Sequence, residues 1–271
     1  MREINKSEIA EYINILGKFC GKRDIQELTT LELKKKYNIK QADIMVLFGG
    51  SILSGGDVLA KGIKNNVAQK YIIVGGRGHT TASLERKFYE LYPEADRTSD
   101  LSKISEAEIF KNYLKYKYNI EPDFLEIYST NCGNNITNLL ELLKKENISF
   151  QSIIISQDAT MQLRMDAGLR KYVSGNVEII NFATYEVEVC EKDGELIFNK
   201  NVDNMWNIER YITLLMGEIP RLTDDENGYG PKGKGYIAHV DIPDNVEKAF
   251  LILKEVYGDK VRKANPLYAS K

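Results

Sequence analysis

The stretch Ile44-Met45-Val46-Leu47-Phe48-Gly49-Gly50-Ser51, with its counterpart Tyr71-Ile72-Ile73-Val74-Gly75-Gly76-Arg77-Gly78-His79, decides the fold. Each is a short continuous apolar run that stops at paired glycines. Unbroken Ile/Val/Leu runs, rather than alternating ones, are what strands buried on both faces look like. Three more runs follow at 124–128, 153–156 and 177–182. Between the five lie segments with helical periodicity at 57–69, 80–91, 103–118, 133–146 and 159–173. Strands alternating with helices of this length predict βαβ units and a Rossmann-like, doubly wound, mostly parallel α/β sheet over 41–184.

Outside this core the rhythm changes. Ile9, Ile13, Leu16 and Phe19 have helical spacing, which predicts a helix over 7–20, and a shorter one is expected over 29–37. The segment 185–200 reads as a hairpin turning at Asp193-Gly194. A helix over 205–216 with Gly217 past its end, a loop dense in Gly, Asp and Pro, and a helix near 244–257 follow. Residues 1–40 and 201–271 are expected to build a smaller, mainly helical subdomain, with a lid-like tail carrying Tyr229.

Composition narrows the function. The 271 residues carry 37 Lys+Arg against 39 Asp+Glu, a net charge of −2 without basic blocks, which argues against nucleic acid as a partner. Cys20, Cys132 and Cys190 are far apart and include no CxxC, so neither a disulfide framework nor a structural zinc site is expected. No apolar run approaches the about 20 residues of a membrane span. The opening MREINKSEIAEY has both charge signs and no apolar signal-peptide region. A bacterial cytoplasmic protein without a membrane anchor is the expectation; the oligomeric state stays open.

Ligands of open parallel sheets bind outside the carboxyl ends of the strands, so the residues after each strand carry the functional question. They are Gly49-Gly50-Ser51, Gly75-Gly76-Arg77-Gly78-His79, Ser129-Thr130-Asn131-Cys132-Gly133-Asn134 and Gln157-Asp158-Ala159-Thr160-Met161-Gln162-Leu163-Arg164. Four such ends, rich in glycine, donors and acceptors, are most simply explained by one convergent pocket. Glycine admits close backbone approach, and a helix start beyond the turn favours an anionic group. No GxxxxGK[ST] occurs, GxGxxG fails at its third glycine, and no acidic residue ends the second strand. A P-loop enzyme, a standard NAD dehydrogenase and an ordinary methyltransferase are therefore disfavoured.

Three residues are weak catalytic candidates. His79 lies in the second glycine loop, as a ligand contact before a base. Cys132 falls between a strand and a helix start, where the dipole would lower a thiol pKa, and with His79 it could form a Cys–His nucleophile pair, though no motif places an orienting third group. Glu106, behind Ser102 and Ser105, reads either as a capping-box residue or as a carboxylate pointing into the site. His239, in Ile237-Ala238-His239-Val240, reads as a satisfied structural histidine, and no metal site is expected.

The order of GG, GGxGH, a Glu in the next helix, STNCGxN and QDxTMQxR resembles the YdcF-like members of the bacterial domain-of-unknown-function family that includes SanA and ElyC. Similarity extends to Trp206…Glu209-Arg210-Tyr211, Gly217-Glu218…Pro220-Arg221-Leu222, Asp224-Asp225…Gly228-Tyr229-Gly230-Pro231 and His239-Val240-Asp241, and so covers nearly the whole chain. Asn227 before Gly228 departs from the pattern. The resemblance implies binding of S-adenosylmethionine or a related adenine-containing ligand, with no established reaction. The binding candidates it implies are Gly49, Gly50, Ser51, Gly75, Gly76, His79, Glu106, Ser129, Thr130, Asn131, Asn134, Gln157, Asp158, Met161 and Arg164. In these roles the glycines admit close approach, Gln157 or Asp158 bonds ribose or adenine edges, and Arg164 neutralises an anionic group by a bidentate contact.

A small-molecule-binding protein of this type is the leading expectation, and whether it is an enzyme stays open. The alternative is a hydrolase or transferase acting on a phosphorylated or envelope-derived metabolite through His79, Glu106 or Cys132. A regulatory interaction protein with a signalling ligand is the third.

Overall fold

A computed structural model describes residues 4–78, 80–95 and 104–258. His79, Ser102 and the tail beyond 258 lie outside the described residues. Five strands, β1 (Ala42–Phe48), β2 (Ala68–Val74), β3 (Phe124–Glu126), β4 (Ser152–Ser156) and β5 (Glu178–Asn181), form one sheet in the order β3-β2-β1-β4-β5. Every pairing in it is parallel, with Met45 opposite Tyr71 on one side and Ile154 on the other. This is the expected Rossmann-like doubly wound α/β architecture.

The two faces of the sheet follow from strand alternation. Met45, Leu47, Tyr71, Ile73, Ile154 and Ile180 join one hydrophobic cluster with Phe88, Phe110 and Tyr113. Ile44, Val46, Phe48, Ile72, Val74, Ile153 and Ile155, pointing the other way, are buried as well. Continuous apolar strands are the sequence consequence of covering both faces.

Helices α2 (Thr30–Tyr37), α3 (Ser54–Lys64), α4 (Thr81–Leu91), α5 (Glu106–Tyr118) and α6 (Cys132–Lys145) belong with this sheet. Helix α3 begins earlier than periodicity predicts, since Gly55 and Gly56 in its first turn carry no side chain to show the pattern. A Cβ on Gly56 would stand 2.5 Å from the Tyr113 ring, so the glycine admits a close helix approach. Strand β3 stops short of the expected 128 because the Glu126 side chain accepts from the Tyr128 and Ser129 amides and turns the chain.

The chain divides into two compact units. The sheet unit comprises 23–158 and 173–184 among the described residues, and the other comprises 4–22, 159–172 and 185–258. This differs from the expected division at two places. Residues 23–40 compact with the sheet, since Ile25, Leu28 and Leu33 join the Met45–Ile73 cluster. Helix α7 (Gln162–Arg170), expected in the core, compacts with the helical unit. There Asp166 receives Lys22 and Arg170, and the Ala167 carbonyl accepts the Ala238 amide.

The second unit also holds α1 (Lys6–Cys20), the hairpin β6 (Val189–Lys192) with β7 (Glu195–Phe198), α8 (Ile208–Leu222) and α9 (Asp244–Tyr257). Asn5 and Glu8 close a capping box on α1, and Asn14 bonds both the amide and the carbonyl of Val189. The hairpin turns at Asp193 and Gly194, with φ of 52° and 76°, as its Asp-Gly predicts. Helix α8 overturns one expectation, since it runs through Gly217 and Pro220 to Leu222. Burial of Glu218, Ile219 and Leu222 outweighs the local stop signal, and the proline costs only one hydrogen bond near the helix end.

Candidate functional site

Four strand ends are stitched directly to one another. The Gly49 amide donates to the Val74 carbonyl at 2.6 Å, and the Gly75 amide to the Glu126 carbonyl at 2.9 Å. The Gly76 amide donates to Ser129 Oγ at 3.0 Å, and Gln157 Nε2 to the Gly49 carbonyl at 2.9 Å. The loops after β1, β2, β3 and β4 therefore share one network. Side chains would break it: a Cβ on Gly76 would lie 2.1 Å from the Ser129 carbonyl oxygen.

Glu106 stands at the centre of this network. The α5 cap is made by Ser105 with Glu108, a complete capping box, which decides between the two sequence readings of Glu106. Glu106 is instead the first helical residue, and its amide donates to the Gly76 carbonyl at 3.0 Å while Ala107 donates to Gly75 at 2.8 Å. Helix α5 is thus docked on the second glycine loop by its own N-terminal amides. The carboxyl points inward, where Oε1 accepts from Thr81 Oγ1 at 3.0 Å and Thr80 Oγ1 at 3.4 Å. Its other oxygen, Oε2, lies against Gly49. Burial pushes the Glu106 carboxyl up to about 7, opposed by the two threonine hydroxyls and the Arg77 guanidinium. Near neutral pH such a group exists in both forms and can give or take a proton.

The turn after β3 is shaped by a second buried carboxylate. Glu126 Oε1 accepts from Tyr128 N at 2.7 Å, Ser129 N at 3.0 Å and Asn138 Nδ2 at 3.0 Å. Its Oε2 is buried with no hydrogen-bond partner among the described residues. Asn131 caps α6 through the Asn134 amide at 3.0 Å, and Thr130 Oγ1 lies 3.0 Å from Asn134 Oδ1. Thr130, Asn131 and Asn134 thereby organise the helix start, and Ser129 ties it to Gly76. Cys132, the first residue of α6, is partly exposed.

At β1 and β4 the strand order reverses, the point where open α/β sheets place their ligands. Gly50, Ser51, Gln157, Asp158 and Thr184 line a cavity there of about 10 Å³, room for one water. Gln157 is spent on the scaffold, since besides holding Gly49 its Oε1 accepts the Asp158 amide at 2.6 Å. Lys87 reaches in from α4 and donates to the Ser51 carbonyl at 3.2 Å. Burial pulls its ammonium down, and the charges of Asp158 and Glu90 counter that.

The structure thus gathers Gly49, Gly50, Ser51, Gly75, Gly76, Glu106, Ser129, Gln157 and Asp158, with Thr130, Asn131, Cys132 and Asn134 on the adjoining helix start. Met161 and Arg164 belong to the helical unit. Arg164 does make a bidentate contact, but its partner is Glu218 of α8, reached through Nε and through Nη2 at 3.1 Å. The anion it neutralises is part of the protein. His239 is also placed differently from its apolar sequence context. It is exposed, with Nδ1 2.7 Å from Asp224 Oδ2 and Nε2 3.0 Å from Asp241 Oδ1, and those carboxylates raise its pKa.

Sequence reasoning missed Lys87, Thr81, Glu126 and Glu218. Lys87 and Thr81 sit within an amphipathic pattern that does not distinguish them from solvated positions. Glu126 carries a signal: a carboxylate in an otherwise apolar strand run needs a partner to be buried. Among the described residues no group of three or more His, Cys, Asp or Glu is arranged to hold a metal, and no helix is long and apolar enough to cross a membrane. No family model matches the chain.

Proposed function

We propose that the chain binds a small molecule over the carboxyl ends of β1 to β4, and that the ligand is S-adenosylmethionine or a related adenine-containing compound. The observation that carries the reading is the fusion of four strand-end loops around the buried Glu106 at a topological switch point. The resemblance of these loops to YdcF-like proteins supports the ligand class. Residues gathered there are of the types such a compound needs: the Asp158 carboxylate for a ribose hydroxyl or an adenine amine, and the Glu106 carboxyl as a counter-charge to a sulfonium. Free Cys20, Cys132 and Cys190 accord with action in a reducing compartment, which we take to be the bacterial cytoplasm.

Titration calorimetry with S-adenosylmethionine, then S-adenosylhomocysteine and ATP as competitors, tests the reading. Saturable one-to-one binding in the micromolar range, about −8 kcal/mol, and its loss in Asp158→Ala are expected. Absence of heat and of competition overturns the ligand.

A second reading rests on the near-neutral Glu106 carboxyl, which suits general acid–base work in a hydrolase or transferase acting on a phosphorylated metabolite. A phosphatase, esterase and nucleotidase panel tests it. Turnover that disappears in Glu106→Gln supports it, and turnover unchanged in that variant removes Glu106 from the mechanism.

A further inference from the structure

The segment between α8 and α9 is dense in glycine and charge, and it folds back on itself. The Gly230 amide returns to the Thr223 carbonyl at 3.3 Å, and the Tyr236 and Ile237 amides return to the Tyr229 carbonyl at 2.8 and 3.1 Å. Asp224 is fixed at the base of this loop. Its Oδ1 accepts the Lys232 amide at 2.7 Å, and the Gly230 backbone comes so near that a Cβ there would stand 2.5 Å from the same oxygen. Its other oxygen, Oδ2, faces His239 Nδ1 at 2.7 Å, and Asp241 Oδ1 faces the opposite ring nitrogen, Nε2, at 3.0 Å. We propose that these three residues form a proton-operated latch: protonated His239 ties Asp241, at the end of the loop, to Asp224 at its base, and loss of one ring proton releases the Asp241 end.

An ionised carboxylate only accepts hydrogen bonds, and a neutral imidazole has one N–H and one lone pair. Both contacts are therefore hydrogen bonds only while the ring carries both protons. In the neutral ring one nitrogen turns a lone pair toward a carboxylate, and that contact becomes repulsive. Which side lets go follows from the anchoring. The Asp224 side chain is 9% exposed and held by the Lys232 amide, whereas the Asp241 side chain is fully exposed. Asp241 can turn into water without losing buried contacts, so the remaining proton stays on Nδ1. Movement is confined on both sides. Ile237 is buried and the Ala238 amide is bonded to the Ala167 carbonyl at 2.9 Å, while α9 starts at Asp244.

The charges that bear on the ring come from the loop itself. Asp224 and Asp241 flank it, and Lys232 acts on Asp224. Asp225 Oδ1 is engaged by the Asn227 and Gly228 amides at 2.8 and 2.9 Å, and Lys234 lies over the Tyr229 ring. Helix α7 meets this segment through Ala167, and its Asp166 is paired with Lys22 and Arg170. Helix α9 brings Asp244 and Glu247 in its first turn, charges of the same sign as Asp241. The flanking carboxylates hold the ring proton beyond the ordinary 6.5, so the latch is closed at that pH and opens as pH rises above it. It lies within the helical unit and does not depend on the ligand proposed above.

NMR of the isotope-labelled full chain, titrated from acid to alkaline pH, follows the His239 ring nitrogens, the Asp241 carboxyl carbon and the backbone relaxation of residues 240–242. The neutral ring is expected to keep its proton on Nδ1, the nitrogen held by Asp224. The Asp241 carboxyl should shift at the ring's own midpoint, and 240–242 should gain mobility across it, the closed-to-open ratio falling up to about tenfold per pH unit. Asp241→Asn, whose amide can face either form of the ring, should lower the ring midpoint and remove the change in mobility. A neutral ring protonated on Nε2, an Asp241 carboxyl that does not follow the ring, or equal mobility on both sides of the midpoint overturns the latch. Each of these is read on the native chain, so none depends on the variant folding. Mobility that still follows the ring in Asp241→Asn overturns it as well.

Discussion

Glu106 Oε2 and Gly49 are so close that a Cβ on the glycine would stand 2.6 Å from the oxygen, 3.1 Å from the Glu106 Cβ and 3.2 Å from the Gly75 Cα. Gly49 and Gly75, one from each glycine pair, are therefore a spatial requirement of the buried carboxyl. Gly49→Ala is expected to cost about 1–3 kcal/mol by overpacking. Gly76→Ala should cost more, because its Cβ would meet the Ser129 backbone at 2.1 Å. Gly175→Ala, with nothing within 4 Å, should stay within about 0.5 kcal/mol. Urea unfolding of the three variants checks the order, and equal losses would remove the steric account.

Glu106 also makes stability depend on pH. Its folded carboxyl titrates near 7 against a usual value of 4.5. Between those values the folded state holds a proton the unfolded chain has lost, so stability falls as pH rises through this window and levels off above it. A shift of that size corresponds to about 3 kcal/mol. Glu106→Gln should flatten the decline between pH 5 and pH 8 in urea titrations. An unchanged slope in the variant would place the proton on another group.

Arg164 and Glu218 form a buried pair whose side chains are 11% and 1% exposed. Arg164→Met strands the Glu218 charge and should cost about 3–5 kcal/mol, while Arg164→Met with Glu218→Leu should recover most of it. A double-mutant cycle in thermal and urea unfolding measures the coupling. Additive losses would mean that the two charges act separately.

The loop after α8 holds His239 between Asp224 and Asp241, and Asp224 also accepts the Lys232 amide at 2.7 Å. The carboxylates raise the histidine above its ordinary 6.5. Its stabilising contribution is therefore complete below that pH and is lost as pH rises through the folded value. Following the His239 ring protons by NMR should show titration above 6.5 in the native chain and a lower midpoint in Asp224→Asn. Identical midpoints would remove Asp224 as the cause.

Much of the architecture is legible in the sequence. The runs ending at Gly49-Gly50, Gly75-Gly76, Ser129 and Gln157-Asp158 identified four strand ends and hence the candidate site's location. The Asp193-Gly194 turn and the 244–257 helix were equally plain. These features rest on local causes: continuous apolar runs, 3.6-residue periodicity and backbone conformations that few residues adopt. Element ends were less legible wherever distant residues set them. Helix α8 passes Gly217 and Pro220 because Leu222 is buried, and β3 stops where the Glu126 carboxylate takes up the next amides.

The parallel α/β alternation and the concentration of glycine and polar groups at the strand ends are written in local sequence. What each polar side chain does there is set by long-range packing. Ser105 and Glu108 take the helix cap, which turns Glu106 into the loops; Arg164 is claimed by Glu218; and Lys87, absent from every motif, arrives at Ser51. Periodicity is encoded between neighbours a few positions apart. The burial and pairing of a charged group, by contrast, depend on residues tens of positions away, and no local pattern records which of them comes within reach.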